Sequence, residues 1–498
     1  MKKLYSIVVS LLAIAAHAQA PAPDTVTVDW GKTQMISKTT LTLQVVVNPP
    51  LRRGTPMHDS IFSSLKALGC DFVRYVPWLP YPRLGVAELY PPTSQKTSWD
   101  FSVIDPMTLD FLEATRGHSV ILNFSTIPAW MYTTKQPVTF PDDPYAVFWD
   151  YTQGSIPRDT SYGEIANYYA RLYSWYTRGG FTDELGKRHE SGYHYAVPYW
   201  EVLNEVDFEH GNNARTYTKL YDAVTDAIKK ESPGTKFVGM ALADPNRPEW
   251  FEYFLDPKHH RGGAPLDMIS YHFYATGSVA AQGLDVMQYT FWDRADGFLN
   301  VAKFVESIRK RLSPTTKTTI DELGSILDND NVVPDRTDPI PGGYWNLSGA
   351  LYAYTYLGLA RLGIDIVGES QLVGYPTQYP SVSMINWKTG RPNARYWVLK
   401  LLKDNFGPGD KFVNSGIAGS EPGAADAITL QAVVTARGNR LLLINKRNKA
   451  VKVVLPREFI GATLSVVDGS TGDERPAKVA IAGSAIELQP FAVAVAGN

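Results

Sequence analysis

Eight short apolar runs, spaced along most of the chain with helical patterns between them, constrain the fold more than any other feature. They are "LTLQVVV" (41–47), "DFVRYV" (71–76), "HSVILNF" (118–124), "YAVPYWEVL" (195–203), "TKFVGM" (235–240), "LDMISYHFY" (266–274), "KTTIDEL" (317–323) and "IDIVG" (364–368). The stretches "HDSIFSSLKALG" (58–69), "IANYYARLYSWYTR" (165–178), "TYTKLYDAVTDAIKK" (216–230) and "NVAKFVESIRKRL" (300–312) carry apolar residues at helical spacing. Strands alternating with amphipathic helices mark βα units around a parallel sheet. Eight of them predict an α/β fold in which a (β/α)8 barrel closes on itself.

Beyond "ARYWVLKLLKDNFGPGD" (394–410) the pattern changes to short alternating segments such as "ITLQAVVTA", "RLLLINKR" and "AVKVVLP", separated by Gly, Asn and Asp. These predict an antiparallel β-sandwich. The early "DTVTVDW" (24–30) has the same alternation and is expected to join it. The expected layout is a leader over 1–20, a segment over 21–40 that joins the sandwich, a barrel over 41–405 and the sandwich over 406–498.

The leader, "MKKLYSIVVSLLAIAAHAQA", has two lysines, an apolar stretch and small residues in an A-x-A pattern, the form of a secretory signal. A secreted or periplasmic protein is expected, free of the membrane once matured. Cys70 is the only cysteine, so no intramolecular disulfide can form and the core must hold the fold. A net charge of −2 without runs of one sign leaves no footprint for nucleic acid or anionic lipid. Aromatics at 12% with 12 Trp leave rings to spare for a binding cleft.

In a βα barrel the reacting groups sit at the carboxyl ends of the strands. "YWEVLNEVDFEH" (199–210) places Glu205 at the close of the fourth run, and "TTIDELGS" (318–325) places Glu322 at the close of the seventh. Two carboxyls facing each other across one mouth suit glycoside hydrolysis, one donating a proton and the other attacking the anomeric carbon. Strict alternation would turn only one of Asn204 and Glu205 inward, so a local irregularity is required there. Glu201, Asp207, Glu209 and Asp321 flank the pair; Glu201 falls earlier in its strand, Asp207 and Glu209 fall beyond it, and Asp321 is expected to project away from Glu322. No H-E-x-x-H, G-x-S-x-G or P-loop is present, and neither a metal nor a cofactor is expected.

The segments "DFVRYVPW", "HSVILNFSTIPAWM", "YWEVLNEVDF", "LDMISYHFYA" and "TTIDELGS" resemble the retaining glycoside hydrolases of clan A, most closely family 39, which includes β-xylosidases and α-L-iduronidases. The resemblance implies Glu205 as acid/base, Glu322 as nucleophile and Asn204 as the partner of the sugar 2-hydroxyl. It further implies Arg74, His272 and Tyr274 beside the nucleophile. Where the family usually has Pro after the acid/base Glu, Val206 stands here. Trp78 and Trp130 follow strand ends, and Trp345 and Trp387 occupy later loops, where a flat ring can stack on a sugar. The expected substrate is an oligosaccharide or a polysaccharide-derived glycoside of the β-xyloside or β-glucoside type, with an α-L-arabinofuranosidase as the nearest alternative. A non-catalytic carbohydrate-binding protein would keep the aromatics without needing both glutamates. The oligomeric state leaves no mark on the sequence.

Overall fold

A computed structural model describes residues 24–497 apart from 150–153, 155, 277–282, 329, 331–339, 377 and 419–425. The leader over 1–20 lies outside the described residues.

Eight strands close a parallel barrel: β1 (Thr40–Val46), β2 (Val73–Val76), β3 (Val120–Leu122), β4 (Tyr199–Glu201), β5 (Lys236–Leu242), β6 (Met268–Thr276), β7 (Lys317–Ile326) and β8 (Ile366–Glu369). Each corresponds to one of the eight apolar runs. Neighbours in sequence are neighbours in space, and β8 pairs with β1 to close the ring. Helices His58–Leu68, Gly163–Thr177, Ala214–Glu231 and Leu284–Leu312 pack outside. Their apolar stripes, with Ile61, Leu65, Tyr169, Tyr217, Val224 and Ile308 buried, join one core with the outward faces of the strands. A further helix, Gly342–Leu362, lies between β7 and β8. It is buried on nearly all sides, so its sequence has no polar face to give the helical period away.

The second unit is a nine-stranded sheet. Asp24–Ile36 belongs to it, running antiparallel to Lys411–Ala418 and parallel to Val451–Val454. Residues from distant strands, among them Val26, Leu443, Val453, Leu464 and Leu488, share one apolar cluster. A sheet whose outer strands meet its central ones in one core must fold over on itself, which is the sandwich. Among the described residues no helix is long and apolar enough to cross a membrane.

Candidate active site

The site forms where the barrel strands end. After Glu201, the last residue of β4, the chain leaves regular strand geometry. Leu203 and Glu205 both adopt left-handed backbone, with φ of 68° and 39°. Non-glycine residues occupy that region at a cost, and it persists only where the surroundings impose it. Here it supplies the required irregularity: Asn204 and Glu205 both reach the mouth. Glu205 therefore stands four positions beyond the strand rather than closing it. A turn begins at once, its carbonyl accepting from the N–H groups of Phe208 and Glu209, both at 2.8 Å.

Glu322 lies within β7, in register with His272 of β6. Its Oε1 accepts from Arg74 Nη1 at 2.5 Å and its Oε2 accepts from the Tyr274 hydroxyl at 2.7 Å. That hydroxyl is steadied by the Ser370 hydroxyl, which also accepts from Gln44 Nε2. Asp321 does not project away. The register of β7 shifts against both neighbours between residues 319 and 323, so two consecutive carboxyls turn inward. Asp321 lies 3.4 Å from Arg74 Nε and 3.5 Å from His272 Nε2.

His272 stands between the pair. Its Nδ1 is 3.0 Å from Glu205 Oε1 and 3.6 Å from Glu322 Oε2. One donor atom from each of Glu205, His272 and Glu322 falls within 4.8 Å of the others. Such spacing also suits a cation, but the site already holds two. Arg74 is fully buried against Glu322 and Glu201. Burial presses the His272 imidazole toward neutrality, yet Glu322 and Glu205 outweigh it and lift its pKa to about 9, which favours the imidazolium beside the two carboxyls.

The same charges divide the two glutamates. Burial raises Glu205, and the hydrogen bond from His272 offsets only part of this. For Glu322 burial acts in the same sense, but His272, Arg74 and the Tyr274 hydroxyl together hold its carboxyl below the usual range. One group is pushed toward the acid form and the other toward the anion, the division of labour an acid and a nucleophile need.

A layer of buried polar groups supports this arrangement from below. Arg74 donates through Nε to Glu201, through Nη1 to Gln44 as well as Glu322, and through Nη2 to Asn204. Glu201 in turn accepts from Ser270 at 2.5 Å and Asn123 at 2.6 Å. These four hydrogen bonds reach acceptors on different strands and loops, so the arginine ties β1, β4 and β7 to β2.

Above the glutamates opens a cleft of about 510 Å³. Asn204, Glu205, Tyr274, Glu322 and Trp78 line it, together with Gln44, Trp149, Phe208, Glu209, Ser370 and Tyr379. The rings of Trp78 and Tyr379 stack with centroids 6.1 Å apart, and Trp149 meets Trp78 edge-on at 5.3 Å. Arg74 and His272 lie beneath the lining. Trp130 is placed elsewhere: its indole donates to the Glu88 carbonyl at 2.8 Å and its ring faces Arg158 at 4.5 Å. Trp345 and Trp387 pack half-buried against the main core. Trp149, Tyr379, Gln44 and Ser370 escape sequence reasoning because nothing local distinguishes them. Glu209 had a signal, four residues after Glu205 on a turn.

This geometry defines the class: a (β/α)8 barrel with a β-sandwich and a carboxyl pair at the barrel mouth. Solved structures with the same fold include the GH51 arabinofuranosidase of Xanthomonas axonopodis pv. citri (12% identity, 95% of this chain and 99% of that chain covered, TM-score 0.64). The α-L-arabinofuranosidase of Thermotoga maritima is similar at 16% identity, 95% and 99% coverage and a TM-score of 0.60. A GH30 endoxylanase of Clostridium papyrosolvens C71 is similar at 14% identity, the same coverage and a TM-score of 0.52. Residues 425–496 match the family model of the D-apionate lactonase C-terminal immunoglobulin-like domain. No curated relative matches the sequence.

Proposed function

We propose that the protein is an exported retaining glycoside hydrolase, akin to family 39 of clan A, acting on neutral glycosides of the β-xyloside or β-glucoside type. The observation that carries this reading is the approach of Glu205 and Glu322, with oxygens within 4.8 Å of each other across the cleft. Retaining pairs stand ~5–5.5 Å apart, and inverting pairs ~6.5–9.5 Å. In the first step a Glu322 oxygen bonds to the anomeric carbon as the glycosidic C–O bond breaks, and the Glu205 proton passes to the leaving oxygen. In the second, Glu205 takes a proton from water, whose oxygen bonds to the anomeric carbon and releases Glu322.

Among the described residues lining the cleft there are three glutamates and no Lys or Arg. Three glutamates facing the cleft oppose a uronate carboxylate, which favours a neutral sugar over an iduronide. An α-L-arabinofuranosidase is the second reading, since two of the solved structures that share this fold are arabinofuranosidases. The lactonase match lies wholly in the sandwich, and the described residues that line the cleft all come from the barrel. Export rests on the leader alone.

Chromogenic β-xyloside, β-glucoside and α-L-arabinofuranoside substrates test the sugar, and azide tests the roles. With Glu205→Ala and an activated aryl glycoside, azide should restore turnover and give a glycosyl azide of retained configuration. With Glu322→Ala it should give the inverted one. The opposite pairing of products would exchange the two roles, and absence of turnover by the unmodified protein on every glycoside would end the reading.

A further inference from the structure

Among the described residues that line the cleft, Glu209 is the one carboxyl for which double displacement has no use. Its place follows from the turn after β4: the Glu209 N–H donates to the Glu205 carbonyl at 2.8 Å, and residue i+4 returns beside residue i. The side chain is only 2% exposed. Oε1 accepts from Trp78 Nε1 at 2.5 Å and from Asn204 Nδ2 at 3.0 Å. Oε2 has no hydrogen-bond partner, and the nearest basic nitrogen, His210 Nε2, is 3.7 Å away. Burial, reinforced by the negative charge of Glu322, drives this carboxyl far toward its neutral form. In that form Oε1, which accepts from both donors, is the carbonyl-type oxygen, and Oε2 is the one left for the proton.

The Asn204 amide is held between partners of opposite type. Arg74 offers only donors, so the oxygen that receives Nη2 must be Oδ1. The amide nitrogen is thereby turned to Glu209, which takes one of its two N–H groups. The other remains for a ligand in the cleft that Asn204 lines. Resting on the glycosidase reading above, we propose that Glu209 is a positioning residue: with Arg74 it locks the Asn204 amide so that its second N–H meets the sugar 2-hydroxyl, and it ties the edge of the Trp78 ring to the same point. The hydrogen bond to the 2-hydroxyl is then oriented before the sugar arrives, and needs no reorganisation as charge develops at the anomeric carbon.

Two variants and two substrates test this. On the aryl glycoside that the unmodified protein turns over best, Glu209→Ala should lower kcat/KM by about 10²-fold, the scale of one lost preorganised hydrogen bond. On the 2-deoxy counterpart of that glycoside the penalty should shrink to about twofold, as for independent sites. Glu209→Gln keeps a carbonyl for Trp78 and Asn204 without a charge, and should recover most of the loss with an unshifted pH profile. Equal losses on both substrates would overturn the proposal, as would a Gln variant no better than Ala. Crystal structures of the two variants give a readout independent of turnover. The Asn204 amide should leave its rotamer in the Ala variant and keep it in the Gln variant, and an unmoved amide in the Ala variant would overturn the proposal even if no glycoside were cleaved. Lack of turnover by the unmodified protein would count against the glycosidase reading alone.

Discussion

The barrel and the sandwich are both built of β-strands around a closed interior, yet they fill it in opposite ways. The sandwich centres on an apolar cluster in which Val26, Val413, Leu441, Leu443 and Leu488 meet, and the fully buried polar side chains beside it, Gln431 and Asn445, are uncharged. The barrel interior ends in a layer holding Arg74, Glu201, Asp321, Glu322 and His272, all buried. The backbones differ too. The hairpin of Ile428–Thr435 and Gly438–Asn445 keeps one register along its whole length, although Asp24–Ile36 shifts in its pairing with Lys411–Ala418, whereas in the barrel β5 and β7 shift register, β7 at the site itself, and the chain after β4 turns left-handed. Burying a charge costs several kcal/mol unless it is paired. In the barrel this cost is met at the strand ends, where irregular backbone can aim the groups that the proposed chemistry needs.

Four measurements would break or sharpen this contrast. The largest effect is expected for Glu322→Ala, which removes the proposed nucleophile and should lower turnover by roughly 10⁴-fold or more without added azide. Next, Arg74→Met leaves Glu201 and Glu322 buried without their cation. It should destabilise the protein by about 3–5 kcal/mol in urea unfolding and lower kcat as well. Leu443→Ala opens a cavity in the apolar core of the sandwich and should cost ~2–5 kcal/mol with kcat unchanged below the melting temperature. If kcat fell with it, the two units would be coupled more closely than the contrast allows. The smallest effect is in the pH profile. Glu322 must be ionised and its pKa is lowered, so activity should fall tenfold per unit only on the acid side of the usual carboxylate range. Glu205 must be protonated and its pKa is raised, so the alkaline limb should lie above that range and vanish in Glu205→Gln with an activated substrate.

Much of this was legible beforehand, and unevenly so. The eight strands stood out because parallel strands buried on both faces read as apolar runs. Helix Gly342–Leu362 did not, since a helix covered on all sides loses its stripe. Glu205 and Glu322 were marked by position and motif, with Arg74, His272 and Tyr274 by resemblance. Asp321 was expected to face away because period-two alternation is the only rule a strand sequence offers, and a register shift cancels it. Trp130 and Trp78 looked alike as rings after strand ends, but only Trp78 lines the cleft.

The sequence by itself determined the order of elements, the two kinds of β unit and the identity of the carboxyl pair, because periodicity and composition are local properties that no later folding step can change. The tertiary structure decided which groups meet. Trp78, Trp149 and Tyr379 come together from loops far apart in the chain, and Arg74 finds acceptors on three other elements, only once β8 has paired with β1. The left-handed backbone at Leu203 and Glu205 belongs to that level as well: neither residue type favours it, so the packed barrel, with Leu203 and Val206 buried at 1% and 0%, must hold it there.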